Sequence, residues 1–409
     1  MTGARHARLR RRRRAERGFR LLALSAAVIS GALVVVLLGS VLARGATGFL
    51  ETRVAVPIDF AARPLDLSPD RVRGRGADLA LAGAGLQRAV DAAALDAFGP
   101  DLGSRILSPD AWLRVRDAVK ADPTVLGRRV VLDLPLASPL DLAAKGRGGV
   151  QAEATVASLR SGDLVSTALD LDFLTGSDST DPTRAGIWGA LKGSLLTLAV
   201  TLAIAFPLGL LAAVHLEEFA PRNRWTDLVE ASINNLAAVP PIIFGLLGLA
   251  LFIGAWGLPR SAPLVAGLTL ALMTAPTIVI AARAAMRAVP PSIREAALAV
   301  GASRAQVAFH HVLPLAMPGV LTGAILAAGR ALGEAAPLLL IGMRAFVAAP
   351  PARATDPATA LPVQIFLWSE EPGRGFEEKT AAAALVLLGL LLAMNAVAVA
   401  LRDRSEARR

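Results

Sequence analysis

"GRALGEAAPLLLIG" sets an arginine and a glutamate, Arg330 and Glu334, four residues apart inside a long apolar run. On a helix that spacing brings both side chains to one face. Each uncompensated charge at the centre of a bilayer costs on the order of 2.5–3.5 kcal/mol. The pair is therefore expected to face a protein interior, where the two charges partly neutralise one another. Two roles fit: a structural ion pair that ties helices together, or a polar station on the path of an anion. A guanidinium suits the second, because its planar fork presents paired donors to phosphate oxygens.

Little else in the sequence can do covalent chemistry. The 409 residues contain no cysteine, which removes disulfides, thiolate nucleophiles and cysteine-held metals together. The four histidines are His6, His215, His310 and His311. None falls in residues 44–186, so that stretch is a poor candidate for histidine catalysis or zinc binding. A phosphate-cradling Walker loop needs a lysine directly after its last glycine. The four lysines, Lys120, Lys145, Lys192 and Lys379, follow Val, Ala, Leu and Glu instead. No cofactor is expected in this chain, and any use of ATP falls to a partner.

The elements that must hold Arg330 and Glu334 are membrane spans. At 54% hydrophobic and 19% charged, the chain is too apolar for an ordinary soluble enzyme. A bilayer core of about 30 Å needs about 20 apolar residues per helix. Six stretches qualify: Leu21–Ala43, Ser194–Leu216, Leu236–Gly254, Leu264–Ala282, Gly319–Gly342 and Ala381–Leu401. The predicted fold is an all-α polytopic membrane protein with six transmembrane helices. The net charge of +10 is placed for topology: residues 1–20 hold nine arginines and one acid, and Arg402–Arg409 hold four more. Basic flanks stay in the cytoplasm, so both termini are expected inside. An RNA-binding arm is the weaker alternative, and no nucleic-acid partner is expected. Leu21–Ala43 is longer than the apolar region of about 7–15 residues in a signal peptide, and is read as a retained anchor.

Residues 44–186 then lie outside: 143 residues with 17 basic and 19 acidic side chains, near neutral like a soluble domain. "SPDAWLRVRDAVKADP" reads as a helix capped by Ser108, with Pro109 in its first turn and Asp122-Pro123 at its end. Its Trp112, Val115 and Val119 recur at helical spacing. "RRVVLDLPLAS" alternates like a strand. An α+β extracytoplasmic insert between the first and second spans is expected. Residues 187–401 would form a five-span core, and 402–409 a cytoplasmic tail. Pro207, Pro276 and Pro240-Pro241 fall in or beside three spans, as simple kinks or as breaks lining a substrate path. Arg283 is a topology anchor or a substrate residue, while Glu217 and Glu218 are expected at the solvated surface or, as the alternative, against the Pro290–Pro314 loop or a partner ATPase.

"PPSIREAALAVGASRAQVAFHHVLP", Pro290–Pro314, lies between the fourth and fifth spans, on the cytoplasmic side. Ser292 and Glu295 have the spacing of a capping box, and Ser303 with Gln306 repeats it. Gly301 supplies a left-handed corner between two short helices. A DNA-binding helix-turn-helix shares this outline. Tethered at both ends to spans, the hairpin better suits a groove on a partner protein.

"EAALAVGASRAQVAFHHVLP" resembles the EAA loop of ATP-binding-cassette importer permeases. That pattern is Glu-Ala-Ala, three residues, Gly, nine residues, an aliphatic, one residue, Leu-Pro. Glu295, Ala296, Ala297, Gly301, Leu313 and Pro314 match, and His311 stands at the aliphatic position. The resemblance implies a coupling helix seated in a cleft of an ATPase subunit, with Glu295, Ala296, Ala297 and Gly301 at that contact. "RALGEAAPLLLIG", "PLGLLAAVHLEEFA" and "INNLAAVPPIIFGLLGLALF" are similar to PstA-type permeases of phosphate-specific importers, with Ala335, Phe219 and Pro241 as departures. "LSPDAWLRVRDAVKADP" and "TGSDSTDPTRAGIWGALKGSL" resemble the extra external domain of some of them. The resemblance implies a non-enzymatic permease subunit in the bacterial inner membrane, with Arg330 and Glu334 on the path of inorganic phosphate. Its implied partners are a second permease (PstC-like), two ATPase subunits (PstB-like) that use the ATP, a periplasmic phosphate-binding protein (PstS-like) and membrane lipid. Import of sulfate or molybdate, and a membrane sensor with an external ligand domain, are the rival readings.

Overall fold

A computed structural model describes residues 2–406 except 66, 68–71, 73, 75, 345 and 348; the last three residues of the expected tail lie outside the described residues. The first apolar stretch is part of one rod, α1 (Thr2–Thr47), whose apolar window has no residue buried among the described residues. Strand β1 (Leu50–Asp59) follows, and its alternation buries Val54, Val56 and Ile58 on one face. Helices α2 (Ala77–Gly83), α3 (Leu86–Gly103) and α4 (Ala111–Ala121) come next. After them run β2 (Arg129–Pro135), α5 (Ser138–Ala144), α6 (Val150–Ser161), β3 (Val165–Leu169) and α7 (Leu171–Thr175). The sheet is antiparallel with β1 in the centre, in the order β2-β1-β3. Its inner face packs on Leu81, Leu86, Val90, Val115 and Val119 from the helices.

Thus the helix and strand expected in this region both form, as α4 and β2. Ser108 does not cap α4 directly. Asp110 holds the cap position, and the Ser108 hydroxyl accepts from the Asp110 N–H at 3.2 Å while it donates to Asp181.

The remaining chain is helical. α8 (Trp188–Val214) ends in a π-turn, His215–Phe219. α9 (Arg224–Ala237) and α10 (Pro241–Gly248) follow, and α10 runs on as a second π-turn, Leu249–Ala255. Then come α11 (Pro263–Arg287), α12 (Pro291–Ala299), α13 (Arg304–Gln306) with a third π-turn at Val307–Val312, and α14 (Leu313–Leu332). α15 (Ala336–Leu340), α16 (Leu361–Glu370) and α17 (Arg374–Glu406) close the chain. Among the described residues, five rods are long and apolar enough to cross a membrane: Glu16–Thr47, Trp188–Phe219, Pro263–Arg287, Arg304–Leu332 and Arg374–Ala400.

The third expected span, Leu236–Gly254, is not straight. α9 and the α10 rod meet at 98°, and only as a bent pair do they make a sixth candidate crossing. Pro240 is extended (φ −56°, ψ 135°) and is followed by a second proline, so the helical ladder stops there. Pro241–Ala255 rises only about 22 Å at 1.5 Å per residue, short of a full hydrocarbon core. By contrast α8 and α11 run unbroken through Pro207 and Pro276.

Between the fifth and sixth expected spans lies α16, which folds back and buries Leu361, Val363 and Trp368. Trp368 Nε1 donates to Asp178 Oδ1 at 2.9 Å.

Candidate functional site

The stretch Pro290–Pro314 is an elbow, built differently from the sequence expectation at two points. α12 begins at Pro291, where a proline suits the first helical position, so Pro290 occupies the cap and Ser292 makes no capping bond. The Ser292–Glu295 capping box does not form. The second box does: the Gln306 N–H donates to Ser303 Oγ at 3.3 Å, and the Ser303 N–H to Gln306 Oε1 at 2.8 Å. Nor is the second arm of the elbow a separate short helix. α13 continues through its π-turn into α14, so Arg304–Leu332 is one rod and the elbow's second arm is the start of the fifth span. Between the arms Gly301 has φ +90°, the left-handed corner its position requires.

The elbow has two faces. Ile293 and Ala297 turn inward and pack with Met286, Val289, Val307, Ala308 and Val312. Glu295, Ala296 and Gly301 are exposed, beside Leu298 at 50% and Val300 at 85%. Of the four expected coupling residues, then, Glu295, Ala296 and Gly301 are on the outer surface and Ala297 is beneath it.

Glu217 and Glu218 are not solvated, and Glu218 takes the alternative expected, a contact with the Pro290–Pro314 elbow. Glu217 accepts from Arg283 Nε at 3.3 Å and Arg287 Nε at 3.0 Å, and both arginines also reach Glu230 of α9. Arg283 is thereby a buried tie between α8, α9 and α11. Glu218 accepts from Arg294 of α12 at 2.7 Å. The partners lie 53–76 residues apart, too far for local spacing to find them. The available signal was compositional: two adjacent acids and three arginines flanking the same end of the spans.

Arg330 and Glu334 come together, but not inside a helix. α14 stops at Leu332 with Gly333 as its cap, so Glu334 stands in the break before α15. Arg330 Nε is 3.7 Å from Glu334 Oε1, an ion pair too long for a good hydrogen bond. The Arg330 side chain is 55% exposed, against 23% for Glu334. The arginine opens onto a small cleft shared with Leu236 and Val239 at the α9–α10 bend, Phe244 of α10, and Met273, Thr274 and Thr277 of α11. Sequence-level reasoning found the pair and missed that it sits where the third span bends.

Two family models match the chain. Residues 6–154 match a domain of unknown function, DUF3333. Residues 171–409 match the binding-protein-dependent transport system inner membrane component. Among curated proteins, a probable ABC transporter permease, YqgI of Bacillus subtilis (strain 168), is 37% identical over 42% of this chain and 58% of its own length. The phosphate transport system permease protein PstA 1 of Mycobacterium tuberculosis (strain CDC 1551 / Oshkosh) is 36% identical over 38% of this chain and 51% of its own. The chain thus spans a little over half the length of these relatives. PstA of Haemophilus influenzae (strain ATCC 51907 / DSM 11121 / KW20 / Rd) is 29% identical over 56% of this chain and 79% of its own length. With more than half its residues matched to that one model and five apolar rods beside a bent pair, the chain is a multi-pass membrane protein of the binding-protein-dependent transport system inner membrane component family.

Proposed function

We propose that the chain is a permease subunit of an ATP-driven importer of inorganic phosphate. The observation that carries this reading is Arg330, a half-exposed guanidinium at the depth of the spans, opening beside the α9–α10 bend. Facing lipid, such a charge is costly. Facing a path shared with a second permease, it offers forked donors to a passing oxyanion. Three further features support the reading: PstA-named relatives, an elbow whose outer face is free for a partner, and the lack of any Walker lysine.

In this scheme the elbow and both termini face the cytoplasm, and residues 44–186 form the extracytoplasmic insert ahead of a core at 187–401. Two separate ATPase subunits dock on the outer face of α12 through Glu295, Ala296 and Gly301, and they alone bind ATP. A phosphate-binding protein delivers cargo on the opposite side. ATPase closure turns the elbow, and the spans switch the side to which the Arg330 cleft opens. This chain performs no bond chemistry.

The test is co-purification of the tagged chain, followed by uptake into vesicles. A second permease and an ATPase are expected to co-purify, and radiolabelled phosphate is expected to enter on ATP addition while labelled sulfate does not. Sulfate uptake without phosphate uptake would sink the cargo assignment.

A further inference from the structure

One guanidinium closes the elbow end of the bundle. Arg294 lies on the inner side of α12, and its forked head reaches three residues. Nε and Nη2 meet the Glu218 carboxylate at 3.1 and 2.7 Å, Nη1 donates to Val289 O at 2.9 Å, and Nη2 also donates to Met286 O at 3.0 Å. Met286 lies in the last turn of α11, where its carbonyl also accepts from the Val289 N–H at 3.1 Å, and Val289 stands just past the end of that helix. Glu218 belongs to the π-turn that ends α8. Its neighbour Glu217 is held by Arg283 and Arg287 of α11, so adjacent carboxylates tie α8 to both α11 and α12.

The other contacts of α12 are of a different kind. Ile293 and Ala297 touch an apolar cluster, which resists separation but sets no direction. Along the chain, α12 joins the fifth span only through the Gly301 corner and the Ser303 cap. A push on the outer face of α12 therefore has covalent routes into α14 and, through residues 288–290, into α11, and a polar route into α8 and α11. Only the polar route fixes orientation, because a guanidinium bonded on several edges cannot turn without breaking directional bonds.

We propose that the Arg294–Glu218 pair is the strut that makes α8 and α11 follow α12. Both are positioning residues: without them α12 still docks on its ATPase but turns independently of these spans. The proposal rests on the permease reading above. It assigns the transmission of motion to one carboxylate of a π-turn, a local geometry that recurs at functional positions.

The experiment uses the assembled complex in vesicles, with Arg294→Met, Glu218→Gln and Arg294→Lys. Two quantities are read: ATP hydrolysed per phosphate taken up, and the distance between spin labels on His215→Cys and Ala299→Cys. This chain has no cysteine of its own, so labelling it before assembly makes the labels specific. Arg294→Met and Glu218→Gln are expected to leave assembly and ATP hydrolysis in place and to raise the ATP cost per phosphate about tenfold, a typical coupling magnitude. In both, the label distance, narrow in the parent complex, broadens. Arg294→Lys keeps the charge without the fork and is expected between parent and Met variant. An unchanged ratio with a narrow distance overturns the strut, as does loss of ATPase binding, which would make Arg294 a residue that only shapes the docking surface. If the parent vesicles take up no phosphate, the cargo assignment fails while the label distances still decide the strut.

Discussion

Lys379 and Asp170, 209 residues apart in sequence, form an ion pair with only 4% and 1% of their side chains exposed. The same ammonium donates to Gly48 O at 3.1 Å and stands 4.9 Å above the Phe173 ring. One charge thus joins the end of α1, the start of α7 and the start of α17. Next to it, Glu378 accepts from Lys145 of the α+β body at 2.7 Å. For Lys145, burial works against the charge, but Asp141 and Glu378 outweigh it and hold the ammonium above its ordinary pKa. Two consecutive residues of α17 therefore fasten that body to the last span.

Removing one partner of so buried a pair should be costly. Lys379→Met is expected to destabilise the chain by about 3–5 kcal/mol, because Asp170 is left buried and unpaired. The Lys379→Met/Asp170→Leu double variant should lose less than the two single changes together. Thermal unfolding in detergent reads both, and an unaltered melting point in Lys379→Met would show that the pair holds nothing.

Apolar length made most of the rods legible, because a span must satisfy every backbone group within itself and so leaves an uninterrupted stretch in the sequence. The bend at Pro240 was not legible by the same rule. Pro207 and Pro276 look similar in sequence, yet their helices continue, Pro276 buried against its neighbours and Pro207 exposed. α16 was missed because ten residues are too few for a span, and its burial depends on packing rather than on its own pattern. The ion ties of Glu217, Glu218 and Lys379 all join residues distant in sequence, where spacing carries no information.

The two serines of the elbow separate a real cap from an apparent one. Ser303 holds both bonds of a capping box, and Ser292 holds none. Ser303→Ala should cost about 1 kcal/mol, whereas Ser292→Ala should be neutral within about 0.5 kcal/mol. Equal losses in thermal unfolding would mean that α12 starts later than Pro291.

Gly193 of α8 marks the closest approach of a span to the segment ahead of α16. A methyl group there would sit 2.0 Å from Thr359 O, a backbone atom that cannot move alone. Gly193→Ala should cost about 1–3 kcal/mol by overpacking. Proteolysis should show the 358–361 segment newly cleavable, and full protection would contradict the contact.

Asp178 gives a pH signature. Burial raises its carboxyl above the ordinary value, outweighing the opposing pull of the Trp368 indole N–H. The folded chain therefore holds this proton more tightly than the unfolded one. The associated stability is present below the unfolded pKa and is lost as pH climbs through the folded one. Asp178→Asn keeps an oxygen acceptor for Trp368 and removes the titration. Between about pH 4 and pH 7, the melting point of the parent should fall relative to that of the variant. Parallel curves would mean that the carboxyl titrates as if in water.

The sharpest division is at Arg330. As a structural tie it is weak: the distance to Glu334 is 3.7 Å and more than half of the arginine side chain is exposed. Screened pairs of that kind contribute about 0–1 kcal/mol, so Arg330→Gln should leave the melting point nearly unchanged. As a station on the substrate path it would supply charged hydrogen bonds, each worth about 1.5–3 kcal/mol, or on the order of 10–100-fold in rate or affinity. Phosphate uptake by Arg330→Gln complexes should fall by that factor with assembly intact. Glu334→Gln leaves the guanidinium in place and should fall less. A large stability loss with proportionate uptake in both variants would return the pair to a purely structural role.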